Sequence, residues 1–439
     1  MYAYLHLTML AIYTMNMFMA KRFGRIRQLH TIISQETIKP SSPTPLHLKT
    51  HNLSLLDQFA PRFLMPKVFF YKHYNNGNTS ILKKSLSNCL TQYYPFAGRF
   101  PPSSTSYVDC NDEGIAFIEA ANDSRIEDFV TNRNQDETLD QLLPNNKVGP
   151  DSLIKVQVNY FAGGGAAIAV AISHKIADGY AAASFINHWA IVTRGLSPTN
   201  PNFISSTNVE TLKIPEVMNK GTYKGNFIAR RFIFSNSKLR ELKERVLTMG
   251  AMPSNPTRVE LLTCLLFKCV ARASAMKSGD FKPALLAHCV NMRKKIIKNS
   301  PEAATGNVMT LLATKIASSS EIMLHEVVAE LQKEKLKLDG LRNEQEVAQH
   351  HLNTLTMLGD EESESFISSS LCRFPFYGVD FGWGNPVKVV TRYPDVDDNG
   401  VIFLDAPNGD GIEALVHLQK EEMPIFEKDE ELLAYIEDW

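Results

Sequence analysis

The fold class follows from residues 153–195, LIKVQVNYFAGGGAAIAVAISHKIADGYAAASFINHWAIVTRG. Ile154, Val156, Val158 and Tyr160 alternate with Lys155, Gln157 and Asn159. Period two predicts a strand with one buried face and one wet face. Gly163, Gly164 and Gly165 then turn the chain. AAIAVAIS, 166–173, is apolar up to its last residue, which predicts a strand covered on both faces, central in a sheet. Beyond His174 the period changes. Ala181, Phe185, Ile186 and Trp189 fall on one helical face, and Gly195 supplies a natural C-cap. Strands feeding a helix in this way predict an α/β fold.

Working away from this segment, 38–45 carries three prolines and reads as an extended entry. VFFYKHY, 68–74, is a short aromatic strand. Ile81, Leu82, Leu86 and Leu90 mark a helix that stops at Pro95. YVDCNDEGIAFIEA, 107–120, reads as a hairpin about Asn111 to Gly114. Residues 195–226, rich in Pro, Ser, Thr and Asn, form the best linker candidate. Helices are expected at 237–247, at 258–276, and over a charged stretch from Ser320 to about Leu358. VIFLDAP and GIEALVHL bring strands back near the C-terminus. There is no internal repeat and no strict βαβ rhythm. A chain of 439 residues predicts two domains of roughly 200 residues each.

Composition excludes several classes. Lys and Arg number 46 against 47 Asp and Glu, a net charge of -1. That lacks the basic face that nucleic acid or an anionic membrane surface requires. With 44% hydrophobic and 21% charged residues, general disorder is excluded. The six cysteines, Cys89, Cys110, Cys264, Cys269, Cys289 and Cys372, form no CxxC pair. They read as free thiols of a cytoplasmic protein and leave no thiolate metal site, so no metal is expected. The first twenty residues are moderately apolar but carry His6, Thr8, Thr14 and Asn16 and no cleavage signal. They read as a non-native or mis-assigned start in preference to a membrane anchor.

Two segments hold candidate chemistry. In HKIADG, 174–179, His174 leaves a strand just before a helix, at a sheet end where clefts form. Its ordinary pKa near 6.5 suits a general base; the bland alternative is a packed junction histidine. Asp178 either orients His174 through Nδ1 or turns away to an arginine. His188, beside Trp189 on an apolar face, reads as structural. In LCRFPFYGVDFGWGNP, 371–386, Gly378, Gly382 and Gly384 sit among five large aromatics. This predicts a packed loop bracing a domain junction, with Asp380 as a buried acceptor for backbone N–H groups or an arginine. No phosphate loop, GxSxG elbow, HExxH pair or Cys–His arrangement is present.

Together, HKIADG and DFGWG resemble the two signature motifs of the plant BAHD acyltransferases. Supporting pieces are IKPSSPTP, LSLLDQ, YYPFAGR at 93–99, PTRVELLT at 256–263, VNMRKK at 290–295 and Thr305-Gly306-Asn307. The pattern is most similar to the vinorine-synthase-like branch, which includes deacetylvindoline acetyltransferase. It covers residue 31 to the end and leaves 1–30 as a non-family extension.

The resemblance implies two similar-sized chloramphenicol-acetyltransferase-like α/β domains. These are 31–195, with about 380–399 contributed from later in the chain, and 227–379 with 400–439. A crossover linker, 196–226, joins them. It implies His174 as catalytic base, Asp178 and Asp380 as further catalytic-motif residues, and Arg293 as the structural partner of Asp178. Gly382, Trp383, Gly384 and Asn307 are implied at the coenzyme A side, Asn307 and Trp383 also as oxyanion donors. Acyl-CoA is the implied co-substrate, with no bound cofactor, and a small-molecule alcohol the acceptor, in a monomer. Two departures are Met292 in place of the usual leucine, and ATGNVM in place of the YFGNC of malonyl-transferring enzymes; the second favours acetyl-CoA. The alternatives are a non-catalytic acyl-CoA-binding protein of this fold, an esterase, and an N-acyl or aromatic-acyl transferase.

Overall fold

The computed structural model describes residues 30–437 except 75–76, 103, 105, 132–138, 145–148, 150, 206–225, 317–322, 360–362 and 395. The N-terminal extension and most of the expected linker therefore lie outside the described residues. In chain order, two six-stranded sheets are built from β1 (His30–Ile38), β2 (Leu64–Tyr71), β3 (Ile115–Asn122), β4 (Ile154–Phe161), β5 (Ala166–Ser173), β6 (Phe227–Phe234), β7 (Ala284–Asn291), β8 (Met309–Ile316), β9 (Glu364–Ser370), β10 (Lys388–Thr391), β11 (Asn399–Asp405) and β12 (Ile412–Gln419). The first sheet runs β1-β3-β4-β5-β2-β10 and the second β8-β7-β9-β11-β12-β6. β10 leaves the second half of the chain to pair antiparallel with β2, Lys388 opposite Phe70 and Thr391 opposite Lys67. The chain then returns as β11.

The helices that matter for the site are α1 (Leu55–Phe59), α2 (Asn78–Gln92), α3 (Gly179–Thr193), α4 (Arg258–Ser278), α5 (Leu324–Lys337) and α6 (Glu344–Leu358). α2 and α3 pack side by side over the first sheet. The Trp189 indole N–H donates to the Leu82 carbonyl at 3.2 Å and to Ser85 Oγ at 3.1 Å, so the largest buried ring in the layer is also satisfied. Each half lends an element to the other's core. Leu56 and Phe59 of α1 lie in the apolar cluster of the second half. Leu371, Phe376, Val379, Phe381 and Val389 lie in that of the first.

Three expectations are corrected. The polar face of β4 is not wet: Lys155, Gln157 and Asn159 are all buried. The segment around Leu142 covers Gln157 and Asn159. Gln157 Nε2 donates to the Gln141 carbonyl at 3.0 Å, and Asn159 Nδ2 to the Leu142 carbonyl at 3.0 Å. Residues 107–120 are not a hairpin. Tyr107–Asp109 pairs with Thr50–Asn52, and β3 pairs with β1 and β4. Gly114, at φ +85°, passes so close to the Ile38 carbonyl that any Cβ would collide with it, which directs the chain to β1. Lastly, the charged helix is two helices. The chain breaks through a 3-10 turn at Leu338–Gly340, and Asn343 caps α6 by accepting the Glu346 N–H.

Candidate active site

β5 ends at Ser173, and the His174 main-chain N–H is held by the Phe63 carbonyl at 3.0 Å. The half-buried imidazole stands edge-on to the Phe63 ring, centroids 5.6 Å apart. Its Nδ1 is buried and has no partner of good geometry among the described residues. Burial lowers the His174 pKa. Its own main-chain carbonyl, the Asp178 charge and the Asn307 side chain oppose that shift, the Lys67 charge adds to it, and the net direction is down. The ring is therefore neutral at neutral pH, the form a base requires.

Asp178 faces elsewhere. It is the N-cap of α3 and accepts the Ala181 N–H at 2.9 Å. The Arg293 guanidinium grips the carboxylate with both terminal nitrogens, Nη1 to Oδ2 at 2.7 Å and Nη2 to Oδ1 at 3.0 Å. The Val308 N–H adds a fourth bond at 3.0 Å. Burial alone would raise this carboxyl; Arg293 and the backbone donors outweigh it and hold the pKa below its ordinary value. Arg293 is itself buried, donates to the carbonyls of Ala304 and Gly306, and lies over the Tyr180 ring at 4.7 Å. The pair is a clamp between the start of α3 and the strand that follows residue 303.

Asn307 closes the other side. Its Nδ2 donates to the His174 carbonyl at 2.8 Å and to Asp57 Oδ1 at 2.8 Å, and its main-chain N–H reaches the same Oδ1 at 2.7 Å. All its donors are thereby committed, so an oxyanion donor is not among them. Asp57 was missed at the sequence level. The signals available were the S-x-x-D capping pattern, which reads as a helix start, and the family likeness of LSLLDQ, which assigned Asp57 no role.

The structure does not bring Asp380 to His174. Asp380 accepts the N–H groups of Gly382 at 2.7 Å and Gly384 at 2.9 Å, both glycines having positive φ. Phe381 packs on Trp189 at 4.8 Å. Trp383 stands perpendicular to Tyr74 at 5.1 Å, its indole N–H buried without an acceptor. Gly382 lies against Arg194, at the far end of α3. His174 precedes the opposite end, and 15 helical residues span about 22 Å.

A cleft of about 1470 Å3 opens on the buried polar face of the first sheet, lined by Lys155, Gln157, Arg62 and Phe100 and reaching Phe63 and Ser173 beside the histidine. No described cysteine is activated. Burial pushes the thiols of Cys110 and Cys289 up to about 12 and Cys372 to about 11, and holds Cys89, Cys264 and Cys269 well above the ordinary thiol value. Among the described residues no helix is long and apolar enough to cross a membrane.

A neutral histidine at a strand end, between two buried carboxylate clamps, is able to accept a proton. The profile of the Transferase family matches residues 30–433. The chain belongs to that family. It is a BAHD acyltransferase, as the two motifs implied. Relatives include a 17,18-epoxy-17-hydroxycur-19-ene N-malonyltransferase of Strychnos nux-vomica, 36% identical over 92% of this chain and 90% of its own length. Another is deacetylvindoline O-acetyltransferase of Catharanthus roseus, 33% identical over 94% of this chain and 99% of its own. The crystal structure of vinorine synthase superposes with a TM-score of 0.78 at 30% identity, covering 93% of this chain and 99% of that one. The paired-sheet α/β architecture of this acyltransferase is thus that of vinorine synthase.

Proposed function

We propose that this BAHD acyltransferase moves an acyl group, acetyl in the first place, from coenzyme A to a hydroxyl of a plant specialised metabolite such as an alkaloid alcohol. His174 Nε2 takes the hydroxyl proton. The alkoxide oxygen attacks the thioester carbonyl carbon, and a tetrahedral intermediate forms in a ternary complex. Its collapse breaks the carbon–sulfur bond, and His174 returns the proton to the departing thiolate. The transfer is direct, since the buried thiols offer no nucleophile.

The observation that carries this reading is the neutral, half-buried imidazole whose neighbouring carboxylate is saturated by other donors. The acceptor enters by the cleft at Phe63. The loop of Asp380, Gly382, Trp383 and Gly384 shapes the coenzyme A side, with Asn307 between the halves. In this reading the base belongs to a first domain, 31–195 with about 380–399, and Asn307 to a second, 227–379 with 400–439. The enzyme acts as a monomer in the cytoplasm, in keeping with its six free cysteines.

The test incubates purified protein with acetyl-, malonyl-, benzoyl- and coumaroyl-CoA and an extract of the source tissue. An O-acetylated product absent with His174→Ala supports the reading. Thioester hydrolysis at the same rate without acceptor makes the protein an esterase instead. The N-malonyltransferase relative favours amine acylation as the second reading, so amine acceptors and malonyl-CoA belong in the panel.

A further inference from the structure

We propose that Asp57 is a positioning residue for His174, acting through Asn307. The inference rests on His174 being the base. Asp57 is the N3 residue of α1, where a carboxylate ordinarily serves the helix cap, and its Oδ2 does so by accepting the Ser54 N–H at 3.1 Å. Its Oδ1 is turned to a residue 250 positions away and takes two N–H groups of Asn307. The Asn307 amide nitrogen has two hydrogens, one for Asp57 and one for the His174 carbonyl. Two acceptors thus fix the amide in one orientation. The flipped amide would set its oxygen against a carboxylate and a carbonyl.

That orientation leaves Asn307 Oδ1 buried with no partner, and His174 Nδ1 is buried with none either. The two orphans are complementary, a carbonyl acceptor and a ring N–H donor. The Asn307 side chain already favours the charged imidazolium, and its Nδ2 is bonded to the main chain of the same histidine. A hydrogen bond from Nδ1–H to Oδ1 would satisfy both. The resulting tautomer carries no proton on Nε2, the atom assigned as base. Asn307 then does what a carboxylate does in a Ser-His-Asp site, and Asp57 keeps its amide the right way round.

The capping-box carboxylates of α1 and α4 are both buried but differ in their partners. Glu260, the matching residue of the α4 capping box, is paired with Lys335. Asp57 is 1% exposed and has no ion pair among the described residues. Lys175 feels the Asp57 and Arg62 charges, and its Nζ donates to the Gln58 carbonyl. Glu344 takes the Leu55 N–H, and His351 packs on Phe59. Burial pushes the Asp57 pKa up to about 6, the mark of a carboxylate kept at some expense to the fold.

The experiment compares Asp57→Asn, Asn307→Ala and Ser54→Ala with the parent in kcat, both KM values, melting temperature and the pH profile of kcat/KM. Asp57→Asn is expected to lower kcat by about 10- to 100-fold with both KM values unchanged. Its acid limb should move to lower pH, because the imidazolium loses the fixed Asn307 side chain that favours it. Asn307→Ala should do the same, and the double variant should be no worse than Asn307→Ala. Ser54→Ala, which damages only the cap, should lower the melting temperature and hold kcat within about twofold. Equal kcat losses in Ser54→Ala and Asp57→Asn, multiplying losses in the double variant, or an unmoved acid limb would overturn the proposal. Should Asp57→Asn not fold, Asn307→Ala against Ser54→Ala decides on the same readouts. Parent-like turnover in His174→Ala would sink the base assignment itself, a separate failure.

Discussion

Asp178 takes four hydrogen bonds and none of them comes from His174, so the two motif residues should fail differently. His174→Ala is expected to lower kcat by about 10²–10⁴ and to leave the melting temperature near the parent's, since the half-exposed ring adds little core. Asp178→Ala strands the buried Arg293, at about 3–5 kcal/mol, and should lower the melting temperature together with activity. Asp178→Ala with Arg293→Met should recover part of that stability. An Asp178→Ala protein that melts like the parent but is inactive would assign Asp178 to the histidine after all. The pH behaviour adds a check. The Asp178 carboxyl is held below its ordinary 3.8, so its contribution is full above that pH and lost as pH falls through the lower, folded-state value. The gap between parent and Asp178→Ala melting temperatures should be widest above pH 3.8 and shrink below it. For His174 the shift is also downward, so kcat/KM should hold below pH 6.5 before it falls. The strand-to-helix junction made His174 and Asp178 visible in the sequence, and Arg293 followed by resemblance. Asp57 stayed hidden because its partner is 250 residues away, and neither its capping pattern nor the family likeness of LSLLDQ gives it a role.

At the scale of elements, α3 acts as a beam with His174 at one end and the DFGWG loop at the other. The loop is tied to the first half by Tyr71, whose hydroxyl donates to the Val379 carbonyl at 2.8 Å, and by Phe381 on Trp189. Asp380 bonds only within its own turn among the hydrogen bonds described. Asp380→Ala should therefore loosen the loop and reduce kcat/KM while the acid limb of the pH profile stays where the parent's lies. A moved limb would mean that Asp380 acts on the base across the length of α3. The long periodic elements, β5, α3 and α4, were legible because one pattern runs unbroken through each. The second face of β4 was not, because Lys155, Gln157 and Asn159 satisfy their polarity inside the protein, and alternation does not distinguish water from a buried hydrogen-bond network. The false hairpin at 107–120 failed for a similar reason. Its turn residues are real, but Asp112 is claimed by Thr44 and Lys49, and the strands on either side have other partners.

On the scale of the whole molecule, the two halves are interlocked at three levels. β10 completes the edge of the first sheet from the second half. α1 gives Leu56 and Phe59 to the second core, and residues 371–381 give their apolar side chains to the first. Across the seam, Asp57 holds Asn307 while Asp178 holds Arg293 and Val308. His174 sits between these clamps, so its geometry depends on the halves being docked. The first half without its partner would expose the β2 edge, leave Phe69, Tyr71 and Trp189 short of neighbours, and strand two buried carboxylates. Residues 30–205 expressed alone should consequently fail to give a sharp thermal transition. Co-expression with 226–437 should restore one, along with activity, because every described tie between the halves lies within those two pieces. Near-ultraviolet circular dichroism of the aromatic cluster during melting reads the outcome. A cooperative transition in the isolated 30–205 piece would show that its own sheet and helices suffice, and that the borrowed strand tunes the site without being needed to build it.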